Sequence, residues 1–151
     1  MTAINHAMTG AIIGLVVGQP LIAVPAALAS HFVCDALPHF RSSEEGEAFL
    51  RASWFVNYLV IEVLLCVALV ALLAYTGPLH WQLAVACAFL AAAPDLISYK
   101  RFRLARLRKR YNPGAYVRFA SKIQWFEKPI GAMVEVAWFA AAAIILLPFL
   151  R

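Results

Sequence analysis

An all-α membrane bundle follows from three observations on this sequence. Of its 151 residues, 64% are hydrophobic, and the mean hydropathy is +0.77, well above the apolar share of an ordinary soluble domain. The apolar residues form long runs broken by turn signals such as "GQP" and "TGPLH", a helical and not a strand-like pattern. Ten of the thirteen Lys and Arg fall between Lys100 and Lys128, against one acid, Glu127. The expected architecture is a single integral membrane domain over 1–151, a polytopic bundle of about five helices. The first two form a short hairpin, and an interfacial amphipathic helix is added on the basic side.

The helices are expected at about 3–18, 20–37, 54–75, 79–99 and 129–150. The last three reach the roughly 20 residues that cross a bilayer, whereas the hairpin closed by "GQP" spans it barely or in part. The basic segment 100–128 belongs in the cytoplasm under the positive-inside tendency. The N-terminus is then cytoplasmic as well, and the C-terminus lies outside. The loop Arg41 to Arg51 mixes both signs and is neutral on this point, while Arg151 mildly opposes it. No Lys or Arg precedes the first apolar run, which argues against a cleaved secretory signal.

Within the basic segment, "KRFRLARLRKR" reads as a helical extension of the fourth span. After "NPG", Tyr116, Phe119, Ala120, Ile123 and Phe126 recur at helical spacing with Arg118, Ser121 and Lys122 opposite, an interfacial amphipathic helix. Beside a span, such a basic run serves topology and contact with anionic lipids; no nucleic acid is expected. Cys34, Cys66 and Cys87 stand singly in apolar segments, which indicates neither a disulfide framework nor a thiolate metal site.

The segment "ASHFVCDALPHF" places His31, Asp35 and His39 at steps of four, so His31 and Asp35 share a helical face. In the first helix His6 leads a ridge of Gly10, Gly14 and Gly18, and in the second Ala23 and Ala27 lead to His31. Ridges of this kind admit a second backbone, and packing the two against each other turns both histidines inward. The glycine ridge could equally join two copies of the chain. At 1.5 Å per residue, His6 and His31 lie roughly 18 and 16 Å from the turn they share, and so at one level. Asp95, in "AAAPDLISY", and Glu127 fall near the same end of the bundle. Glu62 and Glu135 lie roughly 12 Å inside their helices, a costly position unless neutralised, paired or wet.

Imidazole and carboxylate suit zinc, manganese or iron, with a position left open for water. His6, His31, Asp35, His39 and Asp95 are the candidate ligands. Glu127, and after it Glu62 and Glu135, are candidates for a general base. Arg101, Arg103 and Lys128 could hold an anionic head group. Three uses of the polar cluster stay open at this point: a metal site, a metal-free hydrogen-bonded network, and a proton or ion path. His80, beside Trp81, reads as structural.

The segments "LASHFVCDALPHF", "INHAMTGAIIG" and "APDLI" resemble the YdjM/YbcI-like bacterial inner-membrane proteins, which are catalogued as membrane-bound metal-dependent hydrolases. The resemblance covers under half of the chain. That family's "HRGxTHS"-like segment has no counterpart here, and Ser98 and Tyr99 stand where a His usually follows the Pro-Asp element. The resemblance implies a multi-pass protein of the bacterial inner membrane that binds a divalent metal, zinc first, and hydrolyses a lipid or phosphoester near the cytoplasmic leaflet. The alternatives are a proton- or ion-coupled transporter working through Glu62 and Glu135, or a non-catalytic membrane scaffold.

Overall fold

The structure, a computed structural model, describes residues 1–40 and 48–151. Most of the mixed-charge loop expected before the third span lies outside the described residues. The chain is all-α, with no strand among the described residues. Helices α1 (Ala3–Val17) and α2 (Pro20–Ala36) form the hairpin. A single turn, α3 (Ala48–Arg51), precedes α4 (Ser53–Thr76). The next rod is composite: α5 (Trp81–Ala92), a 3-10 segment over Ala93–Ser98, then α6 (Tyr99–Arg106). A short amphipathic helix, α7 (Ala115–Ile123), leads to α8 (Gly131–Leu146), which ends in a 3-10 turn over Leu147–Leu150.

Three of these rods, Ser53–Thr76, Trp81–Arg106 and Gly131–Leu150, are long and apolar enough to cross a membrane, and α1 and α2 are shorter apolar helices. The outer faces carry exposed Val60, Ile61, Val63, Leu64, Phe89, Met133 and Ile144, the surface that a lipid solvent requires. The fourth span was expected as one α-helix. Pro94 has no N–H to give, and the ladder tightens to 3-10 geometry around it before continuing into the basic helix.

Helix α1 is the axis of the bundle. Its Ile4, Ala7, Met8, Ala11 and Leu15 pack against Leu69 and Leu73 of α4, Ala84 and Ala88 of α5, and Ala142 and Leu146 of α8. Here the structure corrects the expected ridge-to-ridge packing of α1 on α2. A Cβ on Gly10 would strike the Cys87 carbonyl and Ala91, and one on Gly14 would lie 2.5 Å from Ala84 Cα. The glycine ridge therefore receives α5. The small ridge of α2 meets α5 too, with Ala23 and Ala27 packed on Cys87. Without a hydrophobic drive between helices in lipid, close backbone approach and dispersion decide the partner, and α5 offers a complementary Ala84, Cys87, Ala88, Ala91 stripe. Gly10 and Gly14 are thus buried within the chain and present no ridge to a second copy.

Candidate metal centre

Five helix ends meet at one end of the bundle: the starts of α1, α4 and α8, the end of α2, and the 3-10 segment. His6 and His31 are both buried there and their rings stack, with centroids 4.2 Å apart and planes at 27°. Together with Asp95 they offer ligand atoms that all lie within 4.8 Å of one another. The Asp95 side chain is 42% exposed, so the group opens on one side.

Pro94 explains the position of His31. In a 3-10 ladder the carbonyl of Ala91 would accept from residue 94, which has no N–H. His31 Nδ1 donates to it instead, at 2.8 Å. A carbonyl only accepts, so Nδ1 carries a proton, and Nε2 is the ring nitrogen left for other partners. That nitrogen faces Asp35 Oδ2 at 3.4 Å and Asp95 Oδ1 at 3.8 Å. A lone pair among carboxylates is repelled unless positive charge lies between them, whether a proton on Nε2 or a cation.

His6 gives a second sign of the same kind. Its Nε2 lies 3.1 Å from Asp35 Oδ1, while Nδ1, fully buried, has no hydrogen-bond partner among the described residues. Buried polar atoms left unpaired are uncommon and call for an explanation such as an ion or water. Two imidazoles and a carboxylate are a donor set that could hold a metal ion. The residues present therefore fit a metal.

Asp35 touches both histidines but is not one of the three grouped residues. Gln124 Nε2 donates to its Oδ2 at 2.8 Å, and the Met1 ammonium reaches its Oδ1 at 2.6 Å. With His6 and His31 added, both oxygens are occupied. Asp35 thus orients His6 through Nε2, as the Ala91 carbonyl orients His31 through Nδ1, the arrangement in which the partner sits behind the nitrogen left free for an ion.

Helix α7 roofs this end of the bundle. Phe32, next to His31, meets Tyr116 and Phe119 at centroid distances of 6.4 and 5.8 Å, and the Tyr116 hydroxyl reaches the Pro94 carbonyl at 3.5 Å. Burial raises the pKa of Tyr116, with the Asp95 and Asp35 charges adding to it.

The other candidate residues have different partners. His39 Nε2 stands 3.4 Å from Glu127 Oε1, and its Nδ1 donates to the Leu37 carbonyl at 2.8 Å. Lys128 N–H donates to the His39 carbonyl, and the two strands of chain form an isolated parallel bridge. Burial lowers the His39 pKa, but the hydrogen bond to Glu127 and that to Leu37 outweigh it and hold it above its ordinary value. Glu62 Oε2 accepts from Ile4 N–H at 2.9 Å and also takes the Ala3 N–H. Glu135 accepts from the backbone N–H of Thr2 and from that of Phe40, the latter at 3.4 Å. Thr2 makes no side-chain cap of its own. Two carboxylates from other helices therefore cap the N-terminus of α1, where the free N–H groups and the helix dipole favour negative charge.

Arg101 lines a cavity beside this site together with Gln124 and Glu127. Gln124 and Asn5, whose Nδ2 donates to the Glu135 carbonyl at 3.0 Å, are polar partners that the sequence reading did not single out. The signal for Asn5 was present, an amide one residue before His6 in an otherwise apolar helix. Gln124, between Ile123 and Trp125 in a segment of mixed polarity, gave none. Comparison of the chain with protein-family models, with curated proteins and with solved structures finds no match.

Proposed function

We propose that the chain is a membrane-embedded, metal-dependent hydrolase that cleaves a lipid or another phosphoester at the membrane surface on its basic side. The positive-inside tendency assigns that side to the cytoplasm. The observation that carries the reading is the group formed by His6, His31 and Asp95, with an orphaned His6 nitrogen and His31 Nε2 facing the Asp35 and Asp95 side chains. The resemblance of "SHFVCDALPHF" to the inner-membrane family supports it. Zinc suits the donor set best, with manganese and iron as alternatives.

A divalent ion held there supplies Lewis acidity toward a phosphoryl oxygen and lowers the pKa of water. The chain's own residues do the rest. Asp35 fixes the His6 imidazole and the Ala91 carbonyl that of His31, and the α7 roof limits entry of bulk water. Glu127, the base that the sequence reading names first, takes the proton of the attacking water as its oxygen bonds to phosphorus. The P–O bond to the leaving group then breaks, and the leaving oxygen recovers that proton. Arg101, with Arg103 and Lys128, supplies positive charge for an anionic head group.

A transporter working through Glu62 and Glu135 draws less support, because both carboxylates are already engaged by backbone N–H groups of the first turn of α1. A scaffold would tolerate loss of the His/Asp group apart from some stability. The test is elemental analysis of protein purified without chelator, comparing wild type with His31→Ala and Asp95→Asn. About one metal per chain in wild type, falling at least tenfold in both variants while His80→Ala keeps it, is the expected result. Background metal in the wild type would remove the reading.

A further inference from the structure

Beside the His/Asp group lies a cavity of about 350 Å³, formed where the start of α4, the basic helix α6, the end of α7 and the segment before α8 converge. Its walls differ in chemistry. Phe49, Trp54 and Tyr58 are aromatic residues of the lining, Arg101 and Gln124 are side chains with hydrogen-bond donors, and Glu127 adds a carboxylate. Trp54, Arg101 and Glu127 also interact with other groups. Phe55, another aromatic of the lining, stacks on Tyr58 with centroids 6.0 Å apart.

A pocket for phosphate alone needs no aromatic cage, and a pocket for a cation alone would not place a guanidinium in its wall. Arg binds phosphate through paired N–H donors, whereas Trp and Tyr faces attract ammonium through their ring quadrupoles. The combination matches one molecule that carries both charges. The elements that form the cavity are helix ends at interface depth, where Trp and Tyr settle in membranes, so the molecule is a lipid. We propose that this cavity binds the zwitterionic head group of a phospholipid, with the phosphate on Arg101 and Gln124 and the ammonium against Trp54, Tyr58 and Phe49.

Gln124 links the cavity to the site, since it lines the one and donates to Asp35 in the other at 2.8 Å. As a statement about the substrate, this inference rests on the proposed function; as a statement about binding, it stands without metal. It narrows the substrate from any phosphoester to an ammonium-bearing phosphodiester lipid.

The experiment is native mass spectrometry of the full chain in detergent, titrated with phosphatidylethanolamine, phosphatidylcholine, phosphatidylglycerol, phosphatidic acid and diacylglycerol of one chain length. The two zwitterionic lipids are expected to bind about tenfold more tightly than the two anionic ones, and diacylglycerol weakest. Arg101→Gln should weaken all four phospholipids about tenfold. Trp54→Leu, or Phe49→Leu if the first variant misfolds, should bring the zwitterionic lipids to the level of phosphatidylglycerol and leave the anionic ones unchanged. His31→Ala should bind lipid as wild type does. Wild-type lipid selectivity in a protein without metal would uphold this inference while the hydrolase reading fell. Equal affinity for phosphatidylglycerol and phosphatidylethanolamine, or insensitivity to both Arg101→Gln and the aromatic variants, overturns it. Equally tight binding of glycerophosphoethanolamine, which lacks acyl chains, overturns the assignment to a lipid.

Discussion

Replacing Glu62 by alanine separates two roles for a carboxylate buried among apolar helices. In the structure it accepts the N–H groups of Ala3 and Ile4, the latter at 2.9 Å across a sequence separation of 58. Glu62 is only 6% exposed, so water does not take over when the acceptor is lost. An unpaired buried N–H costs about 1–3 kcal/mol, and deleting a helix cap about 0.5–2 kcal/mol. Glu62→Ala should therefore lower stability by about 2 kcal/mol. Glu62→Gln keeps a side-chain oxygen at the same reach and should lose less than half of that. The assay is reversible unfolding in mixed detergent followed by circular dichroism, with metal content read on the same samples. A glutamine variant as unstable as the alanine one would refute the capping argument. So would an alanine variant within about 0.5 kcal/mol of wild type. A stable glutamine variant that loses all function would return Glu62 to a proton-carrying role.

Two further outcomes follow from the geometry. Gly14→Ala places a Cβ 2.5 Å from Ala84 Cα, so α1 must move off α5; about 2–3 kcal/mol of stability should go, and metal retention with it, because the same contact sets His6 beside Asp95. Gly77→Ala meets nothing within 4 Å but has φ +58°; it should cost about 1–2 kcal/mol of backbone strain and leave metal retention unchanged. For the His39–Glu127 pair, a folded-state pKa raised above the ordinary value of about 6.5 means that the folded state holds the proton more tightly. Its contribution to stability is full below that value and lost as pH rises through the raised one. Unfolding of wild type and Glu127→Gln should differ most near pH 6 and converge in mildly alkaline buffer; a gap that widens with pH would contradict the pairing.

The spans were legible because their signals are local. Apolar run length, "GQP", "TGPLH" and "NPG" place the rods to within a few residues, and the amphipathic repeat from Tyr116 marks α7. Depth counting also brings His6 level with His31, and their rings do stack. The composite fourth rod was half legible, since Pro94 was visible but its effect on the Ala91 carbonyl depends on a histidine 60 residues away. The roles of Asp35, Glu62, Glu135 and His39 were not legible. Each is decided by which backbone or side-chain donor arrives from another helix.

By itself, the sequence determined that the chain makes apolar rods, that their ionisable groups gather at the basic end, and that His6, His31 and Asp95 fall among them. Hydrophobic length and helical rise act within one segment, and one segment suffices to read them. Only the tertiary structure decided that the glycine ridge receives α5 instead of α2, and that Asp35 orients His6 while the Ala91 carbonyl orients His31. It alone made Glu62 and Glu135 caps for a helix that neither belongs to. In a lipid solvent, where apolar faces gain little by finding one another, partners are chosen by close backbone fit and by unpaired polar groups seeking donors, and a linear sequence records neither of these.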